Sequence, residues 1–167
     1  MPRLLIIVVL LGLSLFIGSL LNEKQKRKLA VLNGLCSGIN ELRLRLKFNN
    51  ASIFELADEL ARQDNAAGEF WQKMQILLSE GKSVSDAATE SANVTLYFCG
   101  KDVVEIVIDL FDLFGTADAD TELKRLDLAC MKLNKITEAF AIECPKQIKL
   151  TKAIAALGGA AFVLMII

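Results

Sequence analysis

DVVEIVIDLFD, residues 102–112, is the stretch on which the fold class turns. By propensity, Val103, Val104, Ile106, Val107 and Ile108 favour a strand, because β-branched side chains suit a pleated surface. The polar positions decide otherwise. Asp102, Glu105, Asp109 and Asp112 are spaced three, four and three apart. That spacing lines four carboxylates along one helix face with a wide apolar surface opposite, and it breaks the strict alternation of a half-buried strand. The stretch is therefore expected to be helix.

Gly115 stands where a left-handed cap would end this helix. A tight polar loop, Thr116–Asp120, follows, and Asp118 or Asp120 is placed to cap the next helix. The stripe of that long helix is Leu123, Leu126, Cys130, Leu133, Ile136 and Phe140. Pro145 removes a backbone bond to Ala141, so a kink or break is expected there. Upstream, Leu29, Leu32, Leu35, Ile39, Leu42 and Leu46 recur at steps of three and four and form one stripe. Asn49 and Asn50 stop it. Ser52 with Glu55 reads as a capping box for a short helix carrying Ile53, Leu56 and Leu60. After a loop over residues 64–68 comes a helix with Phe70, Trp71, Met74, Leu77 and Leu78, closed by Gly81. Ser83 with Asp86 caps a weak helix through Ala92. Helices this short are marginal alone, so their stripes must bury against one another. The expectation is an all-α fold, an antiparallel helical bundle.

The two ends are different in kind. The chain is 53% hydrophobic with a mean hydropathy of +0.43, too apolar for an ordinary soluble domain. Leu4–Leu21 is an uncharged apolar run. As helix its eighteen residues rise roughly 27 Å, close to a hydrocarbon core of about 30 Å. Arg3 also suits a cleaved signal peptide, but the run is long for one and no small-residue cleavage site follows it. Ala153–Ile167 is again uncharged and rises roughly 22 Å, a gap that Lys149 and Lys152 close by snorkelling. Gly158 and Gly159 with neighbouring alanines suit close helix contact in lipid. The expected organisation is an N-terminal transmembrane anchor at 1–22, a helical bundle at 23–152 and a C-terminal transmembrane segment at 153–167. Lys24, Lys26, Arg27 and Lys28 follow the first span and Lys146, Lys149 and Lys152 precede the second. By the positive-inside rule the bundle then lies in the cytoplasm.

Charge is unevenly spread. Residues 22–54 hold seven basic and two acidic side chains, 55–122 four basic and fifteen acidic, and 123–152 seven basic and three acidic. Basic flanks suit an anionic inner leaflet. The acidic middle is either a solvated face or the place where a basic partner surface docks. A net charge of −1 gives no case for nucleic acid.

Chemistry is not foreseen. The chain has no histidine, which removes the commonest general base and metal ligand. It has no phosphate loop and no nucleophile elbow. No catalytic, cofactor-binding or metal-ligating residue is assigned, no cofactor is expected, and the protein is expected not to be an enzyme. Asp118 and Asp120 lack the glycine and closing glutamate of a calcium loop. Cys36, Cys99, Cys130 and Cys144 match no paired motif and read as reduced thiols on apolar helix faces.

Taken in order, these features resemble the stage III sporulation protein AB family. The chain has one amino-terminal span and then a basic helix. Glu55-Leu56-Ala57 with Leu60-Ala61 follows, then Phe70-Trp71 ahead of Gly81-Lys82. Leu113-Phe114-Gly115-Thr116-Ala117-Asp118 leads into Leu123-Lys124-Arg125-Leu126, and Leu157-Gly158-Gly159 opens the apolar end. Ala117, Thr121 and Pro145 depart from the family's pattern. The resemblance covers almost the whole chain. It implies a membrane platform in the mother-cell membrane facing the forespore, within the complex that links the two cells. It also implies a bundle similar to the cytoplasmic domain of the platform proteins of type II secretion and type IV pilus systems. The implied partners are the lipid bilayer, a secretion-type ATPase and other membrane proteins of that complex, and a homo-oligomer is compatible. Asp102, Glu105, Asp109, Asp112, Asp118 and Asp120 are the expected partner-binding residues. Two rival readings are a generic membrane-anchored helical adaptor and an exported, tail-anchored helical binding protein.

Overall fold

A computed structural model describes the backbone of residues 2–49, 52–63, 65–112, 114–115 and 118–166; within the helices, the side chains of residues 2–18, 20–21, 49, 119, 151–152 and 155–166 lie outside the description. Six α-helices follow one another: α1 (Pro2–Asn49), α2 (Ile53–Arg62), α3 (Gly68–Ser79), α4 (Val84–Thr95), α5 (Lys101–Asp112) and α6 (Ala119–Ile166), with a 3-10 turn at Tyr97–Cys99 between α4 and α5. Among the described residues no strand occurs. The chain divides into two compact units, Met1–Arg27 with Ala139–Ile167, and Lys28–Glu138.

In the Lys28–Glu138 unit each short helix lies on the next: α2 on α3, α3 on α4 and α4 on α5. Helices α1 and α6 run antiparallel. Cys36 Sγ lies 3.7 Å from Thr137 Oγ1, and further along α1 Arg43 pairs with Asp127, earlier in α6. The core is built from the expected stripes: Leu32, Leu35, Ile39 and Leu42 of α1, Leu56 and Leu60 of α2, Phe70, Trp71 and Met74 of α3, and Val103, Val107 and Phe111 of α5 are all buried. Helix α4 turns only small residues inward, Ala87, Ala88, Ser91 and Ala92, so its backbone sits close to its neighbours.

Helix α1 also makes room for others. A Cβ at Gly38 would sit 2.6 Å from Trp71 Cζ2, and one at Gly34 would sit 2.1 Å from Asn65 Oδ1. Asn65 accepts from the Ala67 amide at 2.9 Å and donates to the Gly34 carbonyl at 3.4 Å. The two glycines thus form one helical notch that seats the Trp71 ring and the α2–α3 loop. Trp71 continues inward, its ring 4.9 Å from Phe70 and 6.5 Å from Phe111.

The helix ends follow local rules. Ser83 Oγ accepts from the Asp86 amide at 3.1 Å and donates to its carboxylate at 2.7 Å. Gly81, at φ +88°, ends α3 in a Schellman motif: its own amide donates to Leu78 and the Lys82 amide to Leu77, both at 3.1 Å. Three expectations need correction. Ser52 caps α2 by accepting from the Phe54 amide at 3.2 Å, the second position of the helix rather than the third that a capping box uses. Of the kink or break expected at Pro145, the break does not occur: α6 runs on through it. It removes one donor only, and both Pro145 and Ala141 are exposed, so water can take the freed carbonyl. The buried line of α6 is also displaced. Leu126 and Leu133 are fully buried, but Leu123, Cys130, Ile136 and Phe140 are half-exposed, and Glu122, Ala129 and Thr137 complete the inner face. Thr137 is satisfied there by donating to the Leu133 carbonyl at 2.8 Å.

In the unit formed by Met1–Arg27 and Ala139–Ile167, Asn22 and Cys144 are buried, and Gln25 Nε2 donates to Gln147 Oε1 at 3.1 Å. Among the described residues no helix is long and apolar enough to cross a membrane. The expected spans at 4–21 and 153–167 fall almost wholly on side chains outside the description.

Candidate functional site

Helix α5 buries Val103, Val104, Val107, Leu110 and Phe111, and this fixes what it shows to solvent. Asp102, Glu105, Asp109 and Asp112 are all exposed on the opposite face, as their spacing requires. The face has two flanks. Asp112 leans towards α4, where Ser85 Oγ donates to it at 3.0 Å. Asp109 leans towards α6 and borders a shallow groove there.

The other two expected residues are placed differently. Asp118 is the N-cap of α6, accepting from the Thr121 amide at 3.2 Å and from its hydroxyl at 2.8 Å. Those two bonds, the hydroxyl's foremost, hold its carboxyl below the ordinary carboxylate range. Asp120 is exposed in the first turn of α6, where a negative charge suits the helix dipole. In the first turn of α6 the buried Glu122 accepts from the Gly115 amide, and Gly115 takes the left-handed φ of +86°. This bond ties Gly115 to the first turn of α6.

The groove itself was not foreseen. Its α5 wall is Ile106, Asp109 and Leu110, and its α6 wall is Arg125, Leu128, Ala129 and Lys132. Leu128 is 52% exposed and Met131 69% exposed. The sequence carried one signal for this: Leu128 and Met131 are large apolar residues that fall off the stripe of α6.

The remaining charged groups serve the bundle. Arg45 Nη2 reaches Glu59 at 2.6 Å and its Nε reaches Glu41 at 2.9 Å, tying α1 to α2. Glu90 on α4 receives Lys82 and Lys73, the latter at 3.3 Å. These two, Lys82 foremost, hold its carboxyl below the ordinary range. Burial pushes the thiols of Cys36 and Cys130 up, so both are protonated at neutral pH. Among the described residues no cluster of cysteines and carboxylates is arranged to hold a metal ion.

The geometry of the Lys28–Glu138 unit defines a class: a small helical bundle with an exposed acidic helix face and a surface groove. The chain belongs to the stage III sporulation protein AB family, whose model matches residues 3–167, and it is a sporulation-related protein. No curated protein and no solved structure matches it.

Proposed function

We propose that this protein is a non-enzymatic membrane platform of the complex joining mother cell and forespore, held in the bilayer by its two apolar ends and docking a cytoplasmic ATPase on its bundle. The observation that carries this reading is the acidic face of α5. Four carboxylates stand exposed on one short helix, which is itself anchored through Phe111 to the Trp71 core. A rigid acidic surface of this kind steers a basic partner and fixes its register. The membrane part rests on sequence: two uncharged apolar ends, each bordered by lysines on the bundle side. The family supplies the sporulation setting.

The test is co-purification of the secretion-type ATPase with the full-length protein. Reversing Glu105→Lys and Asp112→Lys together should lower ATPase recovery at least tenfold (roughly the cost of like-charge juxtaposition) while the protein stays folded and membrane-bound. Recovery unchanged by both reversals would remove α5 as the docking face.

A further inference from the structure

We infer that the α5–α6 groove is a self-complementary surface through which two copies of this chain pair about a two-fold axis. This goes beyond the platform reading and does not depend on it. The groove has an acidic wall and a basic wall. Asp109 stands on α5, with Asp102 two turns earlier on the same face; Arg125 and Lys132 stand on α6. Asp102 and Asp109 are seven residues apart, as are Arg125 and Lys132. Each pair therefore spans roughly 10.5 Å along its helix. Rotating one copy by half a turn over the groove lays the acidic wall of each on the basic wall of the other, with matched spacing.

An apolar seam, Ile106 of α5 and the exposed Leu128 of α6, lines the same groove. An isologous contact needs one patch that is complementary to itself. A bipolar rim around an apolar seam satisfies that requirement. A wholly acidic partner would meet Asp109, and a wholly basic one would meet Lys132, so a single-sign occupant fits less well than a second copy. The rim charges stay partly wet and set register and orientation, while the seam supplies the affinity. Arg125 also interacts within its own chain, so Lys132 is the basic group to probe. Glu105 and Asp112 lie on the other flank of α5 and remain free of the paired surface.

The experiment uses full-length chains carrying two different tags, co-expressed and purified in mild detergent, with recovery of one tag through the other as the readout. Wild-type copies should recover each other. Asp109→Lys against itself, and Lys132→Asp against itself, should each fall by roughly tenfold, because like charges then face each other twice. Asp109→Lys mixed with Lys132→Asp should return to near the wild-type level, because both contacts become opposite-signed. An ion pair inside one chain cannot produce that rescue, and the rescue itself shows that both variants fold. Absence of wild-type recovery, reversals without effect, or a mixed pair no better than either variant alone would each overturn the inference. A loss of ATPase recovery under Glu105→Lys and Asp112→Lys with self-pairing intact would leave this inference standing, and the reverse pattern would leave the docking reading standing.

Discussion

Helices α1 and α6 are the same length, 48 residues each, yet within the bundle they spend their apolar side chains differently. Helix α1 turns Leu32, Leu35, Ile39 and Leu42 inward and opens a glycine notch for Trp71. Helix α6 fills much of its inner face with smaller or polar groups, Ala129, Thr137 and Glu122, and leaves Leu128 and Met131 outside. Among the described residues, helix α1 exposes large apolar groups only near its end, at Leu44 and Phe48, whereas α6 exposes Leu128 and Met131 between its buried Leu126 and Leu133, with Leu128 beside Arg125 and Lys132 in the groove.

This contrast can be broken most forcefully at Trp71. The ring is fully buried between the Gly38 notch and Phe111, so Trp71→Ala should cost about 3–5 kcal/mol, read by denaturant unfolding. A cost near zero would mean that the notch is not a core element. Gly38→Ala tests the notch from the other side. Its new Cβ meets the indole ring at 2.6 Å, and overpacking of this kind costs about 1–3 kcal/mol, offset by roughly 1 kcal/mol of better helix propensity. A modest net loss is expected, whereas the same change on an open helix face would stabilise. Ser83→Ala removes the cap of α4 and should cost about 1 kcal/mol. On α6 the expectation reverses: Leu128→Ser should leave stability within about 0.5 kcal/mol of the parent while lowering self-recovery of tagged copies.

Asp118 gives the smallest effect, and it depends on pH. Its carboxyl is held below the ordinary value of 3.8, chiefly by the Thr121 hydroxyl. A depressed folded pKa contributes stability that is present above the unfolded value and lost as pH falls through the folded one. Asp118→Asn should therefore flatten the acid limb of the stability curve below about pH 3.8 and change little of its slope near neutrality. A curve parallel to the parent's in that window would show that the cap is not coupled to folding.

Much of the bundle was legible because its inner residues are leucines, valines and aromatics at helical spacing. The carboxylates of residues 102–112 separated helix from strand by period alone, and the α1 stripe lies where its leucines lie. The α6 stripe was misplaced because Ala129 and Thr137 do not look like core residues, while Cys130, Ile136 and Phe140 do. Thr137 is buried only because its hydroxyl bonds back to Leu133, a fact no hydropathy pattern contains. The Gly34–Gly38 notch was illegible for a related reason: a glycine shows nothing of the ring that will lie against it. The acidic face of α5 could be read from spacing, but the groove beside it required knowing which flank of α6 would meet α5.

In the proposed role the bundle is cytoplasmic and both apolar ends are membrane-embedded. The most direct test inserts a protease site after Gly81, in the exposed α3–α4 turn of the full-length protein, and compares oriented membrane vesicles. A membrane-bound protein cleaved only in inside-out vesicles is the expected result. Cleavage only in right-side-out vesicles, or recovery of the intact chain in the soluble fraction, would contradict it.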